Sequence, residues 1–308
     1  MDKKVKCSFC EKKSVYSMKY EGHNYCKNHF IKSVEKRVRK TIRENKLVEN
    51  GDRIVVALSG GKDSSTTLYL LKKIFKNNPK VEIGAMTIDQ GFGCVSEYNI
   101  SFASQLCKDL NVEHHIFSFK DEFKKSVQEL VKKNPGSSYC EICGVLRRYL
   151  INKKARKLGF NKVATGHNLD DECQSIIMNF IKGDFLRLAR VGAKPLLTNH
   201  PKFVPRIKPL VKIPEDEVRL FSNLVGIRYS DQKCPYRKFN TFRGHTIEYL
   251  NKMEEDSPGI KYSILEGALR LKPLLEQKFR NEKIVLCERC EEPASKRICK
   301  TCQVLGVY

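Results

Sequence analysis

The chain has 308 residues, of which 41% are hydrophobic and 30% charged, so a packed body of about two ordinary domains is expected and a disordered chain is excluded. Its 58 Lys and Arg against 35 Asp and Glu leave a net charge of +23, which points to a polyanionic partner, because clustered cations release the counterions condensed on phosphates. No apolar run approaches the roughly 20 residues of a membrane helix, and the opening MDKKVKCSFC lacks the apolar core of a secretory leader; a cytoplasmic protein without a membrane partner is expected. For such a chain the 13 cysteines fit metal or cluster ligation, or thiol chemistry, better than a disulfide framework.

Residues 1–30 are rich in Cys and His and read as one small module. A basic linker helix is expected over 31–50, where Ile31, Val34, Val38 and Ile42 recur at helical spacing among lysines and arginines, before the Asn50-Gly51-Asp52 turn. The main domain is expected over 51–280. In it RIVVALS, VEIGAMTID, EHHIFSF and NKVATG read as buried strands, and helices are expected after each of the first three, including Ile100 to Leu110, Asp121 to Lys133 and a helix ending at Gly159. This alternation predicts an α/β fold with a doubly wound parallel sheet. SILEGALRLKPLLEQKF reads as a late helix, and 281–308 as a second cysteine-rich module.

Ser59-Gly60-Gly61-Lys62-Asp63-Ser64 lies between the first strand of the main domain and its helix. Glycines there let backbone N–H groups turn toward an anion, the new helix adds its unpaired amides, and Lys62 adds a point charge. The string is not a Walker A loop. Gly166-His167-Asn168-Leu169-Asp170-Asp171 ends a later strand, where carboxylates face the ligand crevice of such sheets and suit Mg²⁺; the same acids also suit a helix cap and first turn.

Two sets of four ligands have zinc spacing. Cys7, Cys10, Cys26 and His29 form the first, with His23 as an alternative to His29; Cys287, Cys290, Cys299 and Cys302 form the second. Cys140-Glu141-Ile142-Cys143 opens a helix, and Cys234 stands far downstream. Three thiols are one short of a closed zinc site, and fit either a cluster with one open iron or a redox pair with an isolated third cysteine. Cys107 and Cys173 read as core, Cys94 lies near a strand edge, no partner can be named for His114 and His115, and His167 stays outside the chemistry. Three basic stretches, 32–43, 153–157 and 187–212, with Phe185, Phe203 and Tyr236 among or near them, fit a partner the size of a tRNA.

SGGKDS resembles the PP-loop of ATP pyrophosphatases. Together with GHNLDDE, C-E-I-C-G-x-x-R-R and the distant C-P-Y, it is similar to the TtcA/TtuA family of tRNA thiolases, and the paired terminal modules are similar to its tRNA 2-thiouridine synthetase branch. The resemblance implies a PP-loop domain flanked by two zinc fingers. It implies ATP·Mg²⁺ on Ser59 to Ser64 with Asp63, Gly166, Asp170 and Asp171, and backbone at Ala57, Leu58 and Ile88 along the adenine and ribose. Arg147 stands where the family commonly has a lysine near the phosphates. A [4Fe-4S] cluster on Cys140, Cys143 and Cys234 is implied, although some relatives invoke a persulfide. The implied catalytic set is Asp63, Asp171, Arg147 and the three cysteines. The implied reaction adenylates a tRNA uridine at its C2 oxygen and then inserts sulfur from a ubiquitin-like carrier or from free sulfide; a homodimer is also implied. Cytidine thiolation or another PP-loop tRNA modification such as lysidine synthesis, and a zinc-dependent RNA-binding protein with a degenerate ATP site, are the alternatives.

Overall fold

The computed structural model describes residues 5–194, 200–236, 240–280 and 284–307. Residues 195–199, inside the third basic stretch, and 281–283, at the edge of the last module, lie outside the described residues.

The first module is a hairpin, β1 (Tyr16–Met18) against β2 (His23–Tyr25), and runs directly into α1 (Lys27–Glu44). The helix expected from residue 31 therefore starts inside the module, with Cys26 as N-cap and His29 in its first turn. Nor is it a free linker. Phe30, Val34, Val38 and Ile42 are buried in one core with Met18 and Tyr25 of the module and Leu68, Leu70 and Leu71 of the main domain.

The main domain alternates β3 (Arg53–Ala57), α2 (Lys62–Ile74), β4 (Glu82–Asp89), α3 (Cys94–Asp109) and β5 (His114–Ser118). It continues with α4 (Phe119–Phe123), α5 (Val127–Lys133), α6 (Tyr139–Lys157), β6 (Lys162–Ala164), α7 (Leu169–Ile181), α8 (Phe185–Leu188) and β7 (Arg206–Ile207). Then come α9 (Glu215–Val225), α10 (Phe242–Asp256) and α11 (Ile260–Lys278). The single helix expected over 121–133 is two. Lys124 adopts φ 54° and ends α4, and Ser126 starts α5 with a capping box to Glu129. β7 has only two residues and carries none of the alternation that betrays a longer strand.

Five strands form one parallel sheet in the order β5-β4-β3-β6-β7. The order reverses between β3 and β6, so the crevice beyond their C-terminal ends is where such sheets bind ligands. Alternate residues divide the helices between the two faces. Ile54, Val56, Ala164 and Ile207 share a core with α2, whereas Val55 and Val163 share one with Leu146 and Leu150 of α6. The last module holds β8 (Val285–Leu286), β9 (Pro293–Ala294) and α12 (Lys300–Leu305); it docks on α6 through an Arg156–Glu292 ion pair and through Val304 in the second core. No helix among the described residues is long and apolar enough to cross a membrane.

Helix α9 ties the first module to the domain. Buried Glu217 pairs with Arg37 of α1 and accepts a 2.6 Å bond from the Tyr20 hydroxyl, while Arg37 Nη1 donates to Tyr20 and Tyr262. Breaking a buried ion pair strands one charge. Glu217→Leu is expected to destabilise the protein by about 3–5 kcal/mol, and adding Arg37→Met to restore most of that; urea denaturation of the full chain checks both.

Candidate active site

Strand β3 runs out at Ala57. Leu58 is held by its N–H to Met86 O (2.8 Å) and by the Thr87 hydroxyl on its carbonyl (2.7 Å), so the chain enters the Ser59–Gly61 turn from a fixed point. Gly60 has φ +80°, and a Cβ there would stand 2.2 Å from Asn99 O. Gly166, after β6, is as constrained: its Cβ would lie 2.6 Å from Ser64 N and 2.7 Å from Asp63 C. The two strand-edge loops thus touch backbone to backbone. Within the first loop Ser64 Oγ accepts from Ser59 N (3.1 Å) and lies 3.0 Å from Ser59 Oγ. Ile88 sits at the end of neighbouring β4.

Lys62 is buried and bonds Asp63 Oδ2 and Glu215 Oε1, each at 2.8 Å. Burial opposes its charge, yet Asp63 and Glu215 outweigh that and push its pKa up. Its positive charge is therefore already matched by two carboxylates. Asp63 also accepts from Asn168 Nδ2 at 3.0 Å.

The acids of the second loop divide. Asp170 Oδ2 accepts from Glu215 N (2.7 Å) and Oδ1 pairs with Lys261, so both oxygens hold α9 and α11 in place. Asp171 closes a capping box with Asn168 and faces Asp63. Its pKa is pushed up to about 6 by burial and by the Asp63 and Glu215 charges, against the Asn168 N–H and Arg243. Two carboxylates crowding each other, with further oxygens close by, fit a hard divalent cation. His167 opens to solvent in the crevice, yet its enclosed setting and Lys208, Arg206, Arg147 and Arg243 hold its pKa down to about 3, so it is neutral.

Ser138 caps α6, placing exposed Cys140 in its first turn and buried Cys143 at the start of the second. Cys234 is carried to them by two contacts. Ser230 N bonds Gly60 O at 2.8 Å, and Tyr236 stacks on Tyr139 with centroids 3.9 Å apart and planes 3° from parallel. Gln128 Nε2 fixes the Tyr236 hydroxyl at 2.7 Å, and Phe92 packs on its ring. Burial raises the Cys143 pKa, with Arg147 opposing and Cys234 and Cys140 adding to the rise, so the three thiols and Arg147 form one electrostatic neighbourhood. Of the stacked pair, only Tyr236 stood out in the sequence, and as an RNA contact. Asn168 and Glu215 were not singled out either; Asn-x-x-Asp is a legible cap, whereas nothing local betrays that Glu215 reaches Lys62.

Both terminal sets come together, with all ligand atoms within 4.8 Å of one another. A tetrahedron with Zn–S of about 2.3 Å has edges of about 3.8 Å. The sulfur separations are 3.7 Å for Cys10–Cys26, 3.8 Å for Cys287–Cys302 and 3.6 Å for Cys290–Cys299, and His29 Nδ1 lies 3.4 Å from both Cys7 and Cys26. His29, not His23, is the nitrogen donor of the set, and both histidines pack on the Phe9 ring. Cys140, Cys143 and Cys234 form no such compact set. Cys107 and Cys173 are buried, as expected, and Cys94 is exposed at the start of α3.

A parallel sheet with a glycine loop at its switch point defines a nucleotide-binding α/β protein, and residues 30–238 match the PP-loop domain. The tRNA 2-thiolation protein NcsA of Haloferax volcanii is 34% identical, over 98% of this chain and 98% of its own. The tRNA-5-methyluridine(54) 2-sulfurtransferase of Pyrococcus horikoshii is 35% identical, over 98% and 94%. A solved structure, the U34-tRNA thiolase NcsA from Methanococcus maripaludis with its [4Fe-4S] cluster, superposes with a TM-score of 0.83 at 36% identity, covering 99% of this chain and 96% of that one. The chain belongs to the PP-loop family of tRNA 2-thiolation sulfurtransferases.

Two outcomes follow from the site. The purified chain is expected to carry two zinc ions, and Cys299→Ala to carry one, measured by elemental analysis. The raised Asp171 pKa gives a sign: stability from its protonated form is full below about pH 4 and is lost as pH rises through about 6. Asp171→Asn is therefore expected to raise the melting temperature of the nucleotide-free protein at pH 8, with the gain vanishing toward pH 4; a pH series of thermal melts checks it.

Proposed function

We propose that the chain is an ATP-dependent sulfurtransferase that converts a uridine of tRNA to 2-thiouridine. The observation that carries the reading is the Ser230–Gly60 bond, which brings the Cys234 segment to the phosphate loop while Tyr236 stacks beside Cys140. An activating site and a thiol site then share one crevice. A binding protein with a degenerate ATP site has no use for that arrangement, and the relatives whose names state a base are uridine thiolases, which favours uridine over cytidine.

In this reading the amides of Gly60, Gly61 and the first turn of α2 bind the β and γ phosphates of ATP. Asp63 and Asp171 would hold Mg²⁺, which would supply the charge that relieves their repulsion, and Arg147 balances the α-phosphate. The uridine C2 oxygen attacks the α-phosphorus, the N3 proton is released and pyrophosphate leaves. Hydrosulfide then adds at C2 and AMP departs, with the hydrogen that sulfur brought ending on N3. Electrons balance without a redox agent. The crevice orients both reactants and limits water, which would otherwise hydrolyse the adenylate.

The three thiols fit an iron–sulfur cluster. They are not clustered tightly enough for one ion, their ligands come from two segments, and three protein ligands leave one iron position open. When bound, such a cluster supplies a Lewis acid that keeps sulfide deprotonated. The two terminal sets would hold zinc, which would replace a hydrophobic core in segments too short to build one.

Anaerobically reconstituted protein with tRNA, ATP·Mg²⁺ and sulfide is expected to form one AMP per 2-thiouridine, read by mass spectrometry of the digested tRNA. Asp63→Asn is expected to lose AMP and thionucleoside together. Cys234→Ser is expected to lose thionucleoside by at least a hundredfold while tRNA-dependent AMP release persists. Full thiolation by Cys140→Ser, Cys143→Ser and Cys234→Ser alike would overturn the thiol-site assignment.

A further inference from the structure

The buried or partly buried cations of this protein are, with few exceptions, matched to acids. Arg37 meets Glu217, Lys62 meets Asp63 and Glu215, and Lys162 meets Asp52 at 2.6 Å. Lys208 meets Glu172 at 2.7 Å, Lys261 meets Asp170, and Arg156 meets Glu292. Partly buried Arg206 breaks the pattern, and its charged neighbours are Arg147 and Arg148, both open to solvent. Among the described residues none of them has a carboxylate at ion-pair distance, and the charges acting on Arg206 are those of Arg148 and Arg147.

Topology brings the three together. Arg206 pairs with Val163 in the β6–β7 ladder and so takes the sheet face that α6 covers, where Val163 packs on Leu146 and Leu150. Arg147 and Arg148 follow Leu146 on that helix. Gly144 gives Arg148 its seat: a Cβ there would lie 3.1 Å from Nη1, so the guanidinium folds over the residue next to Cys143. The phosphate-loop helix α2 packs on the opposite face. Arg147 and Arg148 are open to solvent and Arg206 is partly so. Crowding costs these groups: burial and its two neighbours push Arg206 down to about 10. Like charges held together, reachable from solvent and left without acids are stabilised when an anion arrives, and guanidinium forks match phosphate oxygens two at a time.

We propose that Arg148 and Arg206 form a phosphodiester clamp that grips the tRNA strand beside the reactive uridine, a site separate from the ATP loop. The assignment deepens the thiolase reading and rests on it. Placed next to Cys143, a clamped phosphate fixes the adjoining nucleotide at the thiols, and the target base is turned out of its stack toward ATP. RNA is favoured over an acidic protein tail because the two guanidiniums of the clamp come from separate elements, beside the thiols, and match the paired oxygens of a diester.

The test uses full-length, anaerobically loaded protein and Arg206→Gln, with Arg148→Gln as a second variant. Each is expected to weaken tRNA binding about tenfold and to reduce the slope of log affinity against log salt by about 1. ATP affinity and iron content should stay within twofold. A merely structural arginine would lower the melting temperature on removal; Arg206→Gln is expected to raise that of the free protein by relieving repulsion. Unchanged tRNA affinity and slope in both variants would overturn the clamp while leaving the thiolase reading intact. Loss of ATP affinity instead would reassign the arginines to the nucleotide. Unchanged tRNA binding with turnover lost only on a protein thiocarboxylate, not on sulfide, would overturn it in favour of a donor tail. Failure of the wild type to bind tRNA at all would remove clamp and thiolase reading together.

Discussion

The backbone of Gly166 rests against the first turn of α2, and the spacing of the chemical groups depends on that contact. A side chain at residue 166 would collide with Asp63 and Ser64. Without one, the loops after β3 and β6 close on each other, Asn168 reaches Asp63, and Asp171 comes near enough to feel its charge. Asn168 is the joint: its Oδ1 caps the helix bearing Asp171 while its Nδ2 holds Asp63. The cost of facing two carboxylates is met locally. Lys62 neutralises Asp63 from one side, and Lys261 draws Asp170 away on the other.

Helix α9 carries this arrangement outward. Its first residue, Glu215, meets Lys62; two residues later Glu217 meets Arg37 of the helix that grows from the first cysteine module. Thr66 of α2 and Ser222 of α9 join hydroxyls at 2.6 Å in the buried contact between them. The N-terminal module is thus coupled to the phosphate loop through one short helix, and the C-terminal module to the cysteine helix α6 through Arg156. Neither module is an appendage. Each sits behind an element that presents a reactive segment.

Much of this was legible in the sequence. Strands β3 and β4 were apparent as apolar runs between turn residues, and both four-ligand sets were apparent because metal ligands come in short fixed spacings. What was not legible was assembled from distant parts. Arg206 lies between prolines in a two-residue strand, too short for any period, and its charged neighbours are on α6, with β6, α7 and α8 between them in the chain. The acids 170 and 171 looked equivalent as neighbours on a helix start; only Lys261 and the α9 amide, remote in sequence, separate a brace from a carboxylate left facing Asp63. Lys124 broke a helix that the periodicity carried straight through, because a positive φ at lysine has no sequence signature.

Geometry also separates the kinds of metal this chain can hold, although all three thiol sets use C-x-x-C. In the terminal modules a hairpin or knuckle turns the second pair back onto the first, and the sulfurs converge to the edge length of a zinc tetrahedron. In the middle set the third thiol arrives on a different loop, whose Tyr236 stacks on Tyr139 of α6 with centroids 3.9 Å apart. A clasp outside the thiols, not a turn between them, sets their separation. The three thiols accordingly fall outside the compact four-ligand sets, and the segment that carries Cys234 is tied to the phosphate loop where Ser230 joins Gly60. The same spacing motif thus yields two compact four-ligand sets at the ends of the chain and, at its centre, a looser set of three thiols.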